Sequence, residues 1–372
     1  MSHPFTQQIM TILNHHFGQS ADDIYDKSSL LQYLNIKTKS ATRGSKARGS
    51  FANLYALYVL VEDYIWHDFH KEGNYTSYEG AKFSDLFKRQ RELPFGSKLQ
   101  NHALNHRVNQ EFTKYFSQVE YIPILRDVDT NRYWVNENLL RISAARRTFN
   151  IAKPIIEIID SYIEAKQSAF KSFIQTCERL KQVSKEAHST VEEFILSILA
   201  QNVDARLFEI VSYAILKYYY TDQTVYFGFD LDNIEEENLK LYKTGRTNAN
   251  DGGIDFVMRP LGRFFQVTET VDAKKYFLDI DKIERYPISF VIKSDESPEA
   301  LRENLKQCAE RLYSVNAIVT KYMSCIEEVI NIPVLKDRFS QSVKEGHLRD
   351  ILDEVIKQSM IEFNYEEPQD AN

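Results

Sequence analysis

The sequence predicts an α/β (α+β) protein in two parts. These are a helical N-terminal region over residues 1–189 and a region over residues 190–372 with a mixed β-sheet flanked by helices. Apolar residues recur at helical spacing through most of the first part. Strand-like runs bounded by turn residues begin only at Thr224. A chain of 372 residues, 43% of them hydrophobic, is long enough for two domains with a sizeable core.

The helical prediction for the N-terminal region rests on long stretches without Gly or Pro. Ser50 is a candidate N-cap for the helix in "SFANLYALYVLVEDYIW". A longer helix opens at Pro154 and runs for about thirty residues, or roughly 45 Å, which suits a strut between two domains. Thr190 and Glu193 then form a capping-box pattern, which places the domain boundary near residue 189.

The C-terminal region alternates helix and strand in an order that indicates a mixed sheet. Apolar periodicity predicts helices over 203–220 and 272–286. The turn from Pro260 to Gly262 makes a hairpin of the two strands beside it, and the last strand returns after a crossover helix. The rest of the chain, from 297 to about 360, is predicted to be helical. The four predicted strands are "TVYFGF", "GIDFVMR", "RFFQVTET" and "PISFVIKS".

The composition excludes several classes of protein. A net charge of -7 argues against a protein that coats nucleic acid nonspecifically, although a local basic cleft is compatible with it. No apolar run approaches the roughly 20 residues that cross a bilayer, and the first residues lack a signal segment. The chain contains no Gly-rich phosphate loop and no nucleotide-binding fingerprint. We therefore expect a cytoplasmic protein with no membrane partner.

Four residues of the C-terminal region stand in a familiar order. Glu209 lies in the first helix, Asp255 in the second strand, and Gln266 and Thr268 in the third. This order resembles the PD-(D/E)XK nuclease superfamily and, within it, a type II restriction endonuclease. "GGID" followed by "FFQVT" is similar to the Gly-Gly-x-Asp and Gln-x-Lys pairing of its Mrr-like and resolvase-like members. The likeness covers about 203–294 and implies Mg²⁺-dependent hydrolysis of double-stranded DNA, with these four residues in the site.

Strand geometry and metal chemistry support the same residues. Gln266 and Thr268 share one face of their strand, and the hairpin can place Asp255 beside that face. Mg²⁺ accepts carboxylate and amide oxygens, so the expected metal ligands are Asp255, Gln266 and Glu209. A deprotonated, metal-bound water would then attack phosphorus.

The chain departs from the family pattern at two positions. Thr268 stands where the family has a lysine, and Gln266 replaces a carboxylate, so it brings an oxygen without a charge. A cation near the attacking water would have to come from another residue. The candidates, among which the sequence does not choose, are Lys274, Lys275 and Lys293.

Three of the four site residues also have a structural interpretation. Asp255 is a turn-proximal acid of the kind that bonds a glycine backbone. Glu209 is compatible with a solvated helix face. Thr268 is a favourable strand residue without any function.

Basic residues cluster in two segments that suit contact with DNA. The segment "KTKSATRGSKARGSFANLY" runs into a helix N-terminus, so it offers both side-chain cations and backbone N–H groups to phosphates. In "KTGRTNANDGG", Lys243 and Arg246 can contact phosphates, and Asn248 can form hydrogen bonds to base edges. The alternative for the first segment is a solvated loop without a binding role, and the alternative for the Asn residues of the second segment is a turn. The predicted DNA contacts are Arg43, Lys46, Arg48, Lys243, Arg246 and Asn248.

The resemblance favours a type II restriction enzyme of a restriction-modification system. Such enzymes cut palindromes as two-fold dimers, so a homodimer is expected by analogy. Two alternatives remain. One is a DNA repair or structure-specific nuclease, and the other is a DNA-binding module that kept the fold without catalysis.

Overall fold

The computed structural model describes residues 2–41, 47–71, 74–97, 99–182, 188–201, 203–244, 254–269, 271–283 and 285–363. The chain divides into two compact units, Met1–Phe173 and Ile174–Asn372. This division falls inside a long helix, whereas the sequence prediction places the boundary after residue 189.

The N-terminal unit is mainly helical, and apolar side chains form its core. The central helix runs from Ala47, before the predicted cap Ser50, and buries a continuous stretch between Phe51 and Val61. A π-helical turn (Ala103–Arg107) precedes the sixth helix. The helices are α1 (Pro4–Phe17), α2 (Ala21–Lys27), α3 (Ser29–Thr38), α4 (Ala47–Trp66), α5 (Phe83–Glu92), α6 (Val108–Tyr115) and α7 (Ala152–Lys181).

The N-terminal unit also contains two small sheets, which were not predicted from the sequence. The strands are β1 (Ala81–Lys82), β2 (Ile124–Asp127), β3 (Arg132–Val135), β4 (Arg141–Ala144) and β5 (Arg147–Asn150). β3 lies between β1 and β2, and β4 pairs with β5. None of these strands exceeds four residues. Such short strands give no alternating pattern long enough to detect.

The C-terminal unit carries the mixed sheet. Its helices are the end of α7, α8 (His188–Ser197), α9 (Ala205–Thr221), α10 (Ala273–Lys282), α11 (Pro298–Leu312), α12 (Asn316–Cys325), α13 (Ile332–Lys344) and α14 (Leu348–Phe363). Its strands are β6 (Thr224–Phe227), β7 (Glu235–Asn238), β8 (Lys240–Lys243), β9 (Phe256–Arg259), β10 (Arg263–Thr268), β11 (Ile288–Ile292) and β12 (Ile326–Ile330).

Five strands form one sheet in the order β12-β11-β10-β9-β8. β8, β9 and β10 are an antiparallel meander, while β11 and β12 run parallel to β10. The crossover helix α10 connects β10 to β11. Every residue of β11 is buried, as expected for a parallel strand covered on both faces. The predicted mixed sheet flanked by helices is therefore confirmed.

Two details of the predicted sheet are wrong. The strand predicted in "TVYFGF" pairs with β7 in a separate two-stranded ribbon, and β8 is the edge strand of the main sheet instead. Because β7 has the polar sequence "EEEN", it shows no apolar pattern from which a strand paired with β6 could be predicted. The segment predicted as helix after residue 297 is interrupted by β12, whose five residues follow α12 directly.

Different helices cover the two faces of the sheet. On one face, α9 packs against α13 and α14, and Tyr220 of α9 contacts Phe265 of β10. On the other face, α10 packs against α11 and α12, and Tyr276 of α10 stacks on Phe290 of β11 at 4.2 Å. We call these the α9 face and the α10 face.

Side-chain caps fix where the covering helices begin. Asp204 accepts a hydrogen bond from the N–H of Arg206 at the start of α9, and Asp272 accepts one from Lys275 at the start of α10. Among the helices of the described segments, none is both long and apolar enough to cross a lipid bilayer.

Candidate active site

Asp255 lies at the point where β9 begins beside β10. Its backbone N–H donates to the carbonyl of Phe265 at 3.1 Å, and its own carbonyl accepts from Thr244 at 3.0 Å. The residue pairs of β9 and β10 end at Phe256 and Phe265, so the next N–H of β10 on the β9 side, that of Val267, has no partner carbonyl in that ladder. The Asp255 carboxylate takes this place, because its Oδ2 accepts from the N–H of Val267 at 2.7 Å.

Gln266 lies beside Asp255 on the α10 face. It pairs with Phe290 of β11, whose ring stacks on Tyr276, and only 7% of the residue is exposed. Its amide nitrogen makes one long contact, 3.5 Å, to the carbonyl of Val267. Its carbonyl oxygen Oε1 is buried and has no hydrogen-bond partner among the described residues. A buried acceptor without a donor costs about 1–3 kcal/mol, so this oxygen is a position where a bound cation would be stabilising.

Thr268 is on the same face and is 4% exposed. Burial raises the pKa of the Tyr276 phenol, and a hydrogen bond with the Thr268 side chain opposes that rise. Thr268 therefore fixes the crossover helix to the strand. Its hydroxyl carries no charge and does not supply the cation that a lysine would bring.

Glu209 faces the other side of the sheet. Its Oε1 lies 3.0 Å from Nζ of Lys243, with the two side chains 16% and 14% exposed. Lys243 pairs with Phe256 across the edge of the sheet, one residue beyond Asp255. The predicted metal ligand and the predicted phosphate contact are thus bound to each other in an ion pair between α9 and β8.

A second ion pair occupies the α9 face at the neighbouring strands. Lys293, which follows β11, lies 3.0 Å from Oε1 of Glu269, which follows β10. Its side chain is 3% exposed, donates to the carbonyl of Val203 and lies 5.8 Å from the ring centre of Phe208. Of the three candidate cations, Lys274 and Lys275 are exposed on α10, and Lys293 alone is buried.

Most of the predicted DNA contacts cannot be placed. Arg43, Lys46, Arg246 and Asn248 lie outside the described residues, and so does the side chain of Arg48, whose backbone belongs to α4. Only Lys243 has a described side chain, and it is paired with Glu209.

The site residues thus fall into two groups. Asp255, Gln266 and Thr268 come together where β9 meets β10, as the sequence predicts, while Glu209 is on the α9 face. The Asp255 carboxylate is held by the N–H of Val267, the residue after Gln266, and the Gln266 Oε1 is buried without a partner among the described residues. These oxygens are of the kind that a hard divalent cation prefers as ligands. Glu269 was not singled out from the sequence, although its position after the strand, next to Thr268, was the available signal.

Comparison with protein-family models, with curated proteins and with solved structures gives no match to this chain.

Proposed function

We propose that the chain is a Mg²⁺-dependent endonuclease that hydrolyses phosphodiester bonds of double-stranded DNA, of the type II restriction kind. The single observation that carries the proposal is the buried Oε1 of Gln266, which has no partner among the described residues and belongs to the residue before Val267, whose N–H holds the Asp255 carboxylate. The order of elements supports it. The main sheet follows α9 with three antiparallel strands, a crossover helix and a parallel strand, as the resemblance to PD-(D/E)XK nucleases leads us to expect, although β8 takes the place of the first predicted strand.

The chain's own residues would act as follows. Asp255 and Gln266 hold Mg²⁺ through a carboxylate and a carbonyl oxygen, and the Val267 N–H orients the Asp255 carboxylate. Mg²⁺ supplies charge neutralisation at the phosphate and lowers the pKa of a water molecule. Glu209 is not needed as a ligand in this proposal, because Lys243 already neutralises it. The enzyme would act in the cytoplasm, as a homodimer on palindromic sites.

The Thr268–Tyr276 hydrogen bond favours one alternative. Thr268 stands at the position of the family lysine, and its side chain bonds to Tyr276 of α10 instead of bringing a cation to the site. A non-catalytic DNA-binding module is therefore the second candidate. It predicts binding to duplex DNA without cleavage under any divalent metal.

The test is Asp255→Asn, which keeps an oxygen acceptor for the Val267 N–H and removes only the charge. We expect Mg²⁺-dependent cleavage of plasmid and genomic DNA pools to fall to background, with unchanged thermal unfolding. Glu236→Gln, an exposed acid of β7, is the matched control and should cut like the wild type. Equal cleavage by Asp255→Asn and the wild type would overturn the assignment. A wild-type protein that binds duplex DNA and never cuts it would favour the binding module.

A further inference from the structure

The N-terminal unit contains a cavity of about 510 Å³ that the proposed nuclease site does not use. It lies between the end of α4, the segment around β1, the start of α5 and one residue of β3. Its volume is within the range of ligand sites, about 300–1,000 Å³. The lining residues used below are Glu62, Asp63, Trp66, Tyr78, Arg89 and Arg132.

Trp66 gives the cavity an unusual aromatic surface. It is the last residue of α4 and is 79% exposed, although α4 is buried throughout between Phe51 and Val61. The neighbouring His67 ring meets it edge-on at 4.7 Å, which leaves the indole well exposed to solvent. An exposed indole at a concave site suits a flat ring that can stack on it.

Asp63 supplies a hydrogen-bond acceptor on the same helix face, three residues before Trp66. Its side chain is 20% exposed, and the Tyr78 hydroxyl donates to Oδ2 at 3.0 Å. Burial raises the pKa of the Asp63 carboxyl, and the bond from Tyr78 counters part of that rise. A ligand that donates further hydrogen bonds to this carboxylate would offset the cost of its burial.

Two of the three Lys and Arg residues of the wall are already engaged, and the third, Lys82, is exposed. Arg89 makes two bonds of 2.8 Å to Glu62, and Arg132 donates to the carbonyl of Gly80 at 2.9 Å and to Glu79 at 3.3 Å. The wall is therefore close to charge balance. This argues for a neutral ring inside the cavity rather than a phosphate.

The segment that closes the cavity is rigidly held. Nε1 of Trp134 donates to the carbonyl of Tyr78 at 2.9 Å, and Ala81 pairs with Tyr133 of β3. Gly80 has φ +87°, and a Cβ there would lie 2.5 Å from the Trp134 ring, so this position requires glycine. A wall fixed in this way loses little entropy when a ligand binds.

We propose that this cavity binds a nucleobase with an exocyclic amino group, cytosine by preference, presented by an unstacked nucleotide. The base stacks on Trp66, and its amino group donates to the Asp63 carboxylate, the pairing by which acidic side chains read cytosine. The proposal rests on the proposed function in one respect, which is that DNA is the source of the nucleotide.

Tryptophan fluorescence reports on this cavity, because the chain has two Trp residues: Trp66 lines the cavity, and Trp134 packs behind its wall against Tyr78 and Gly80. The probes are a short thymidine strand with one central cytosine and the same strand with uracil there, titrated in EDTA. We expect quenching with roughly tenfold tighter binding of the cytosine strand. Trp66→Phe should remove most of the quenching.

The decisive variant is Asp63→Asn. Its carboxamide can accept from the amino group of cytosine and can equally donate to the carbonyl that uracil has there, so the preference for cytosine should be lost. Asp85→Asn, at an exposed acid lining the same cavity, is the matched control and should keep the cytosine preference. Equal binding of the two strands by the wild type, or quenching that persists in Trp66→Phe, would overturn the proposal. If Asp63→Asn does not fold, the wild-type comparison of the two strands decides alone.

The experiment also separates this proposal from the nuclease. It uses no metal and no cleavage, so Asp255→Asn should discriminate cytosine from uracil like the wild type. If the wild type prefers the cytosine strand but never cleaves DNA with Mg²⁺, the proposed nuclease function is wrong and the proposed base site is supported. If it cleaves DNA but binds both strands equally, the base site is wrong and the nuclease function is supported.

Discussion

The two faces of the main sheet carry ionisable and polar residues in different ways. On the α9 face, Glu209 is paired with Lys243 and Glu269 with Lys293, each at 3.0 Å and largely out of solvent. On the α10 face, the Gln266 oxygen is buried without a donor. A satisfied ion pair holds elements together, whereas an unsatisfied oxygen lowers stability until something binds it. The comparison therefore supports a structural role for the ion pairs of the α9 face and leaves the edge of the α10 face as the place of the proposed metal site.

The largest effect should come from Lys293. Lys293→Ala removes the partner of Glu269, the bond to the Val203 carbonyl and the contact with Phe208. We expect the free energy of unfolding to fall by about 3 kcal/mol, since one charge of a buried pair is left behind. Urea denaturation followed by circular dichroism measures this. Lys274→Ala, at an exposed lysine, should change it by less than about 0.5 kcal/mol. A Lys293→Ala protein of wild-type stability would show that the α9 face is not structural.

The pair of Glu209 and Lys243 should show direct coupling. In a double-mutant cycle of Glu209→Gln and Lys243→Met, we expect a coupling energy of about 1 to 2 kcal/mol, because both side chains are mostly buried. The folded fraction of Glu209→Gln should keep its cleavage activity. A coupling energy of zero, together with loss of cleavage in Glu209→Gln, would indicate instead that Glu209 is a metal ligand.

A smaller effect of opposite sign is expected at Gln266. Gln266→Met replaces the unpartnered oxygen by an apolar group of similar size, so the metal-free protein should become more stable by roughly 1 kcal/mol. The same variant should lose Mg²⁺-dependent cleavage. A thermal melt in EDTA and a cleavage assay on one preparation give both values, and a destabilised Gln266→Met protein would mean that the oxygen has a partner in solution.

Sequence patterns predicted the parts of the fold that are long and periodic. The helix from Pro154 was expected to span about thirty residues, and α7 has 30. The hairpin at Pro260 to Gly262 and the return strand in "PISFVIKS" are also confirmed. The edge strand β8 was not predicted, because its four residues lie between polar segments and are too few to show an alternation of apolar and polar residues.

The candidate site was predictable only in part. Strand alternation placed Gln266 and Thr268 on one face, and the hairpin register placed Asp255 next to them. A local sequence pattern does not show which face of a sheet a helix covers. That Glu209 and Gln266 lie on opposite faces is therefore seen only from the packing of α9 in the structure. The Trp66 cavity was missed as well. Its signal was the spacing of Asp63, Trp66 and His67 along one face at the end of an apolar helix.

The most direct test of the central claim is divalent-metal binding by three full-length proteins: the wild type, Asp255→Asn and Glu209→Gln. Mn²⁺ serves as the probe, and electron paramagnetic resonance counts the bound ions without any need for cleavage. We predict that the wild type and Glu209→Gln bind Mn²⁺ alike, because Glu209 is paired with Lys243. Asp255→Asn should lose the ion, because it removes the charge of the one carboxylate ligand that the proposed site has. Mn²⁺ binding that survives in Asp255→Asn and disappears in Glu209→Gln would contradict the account.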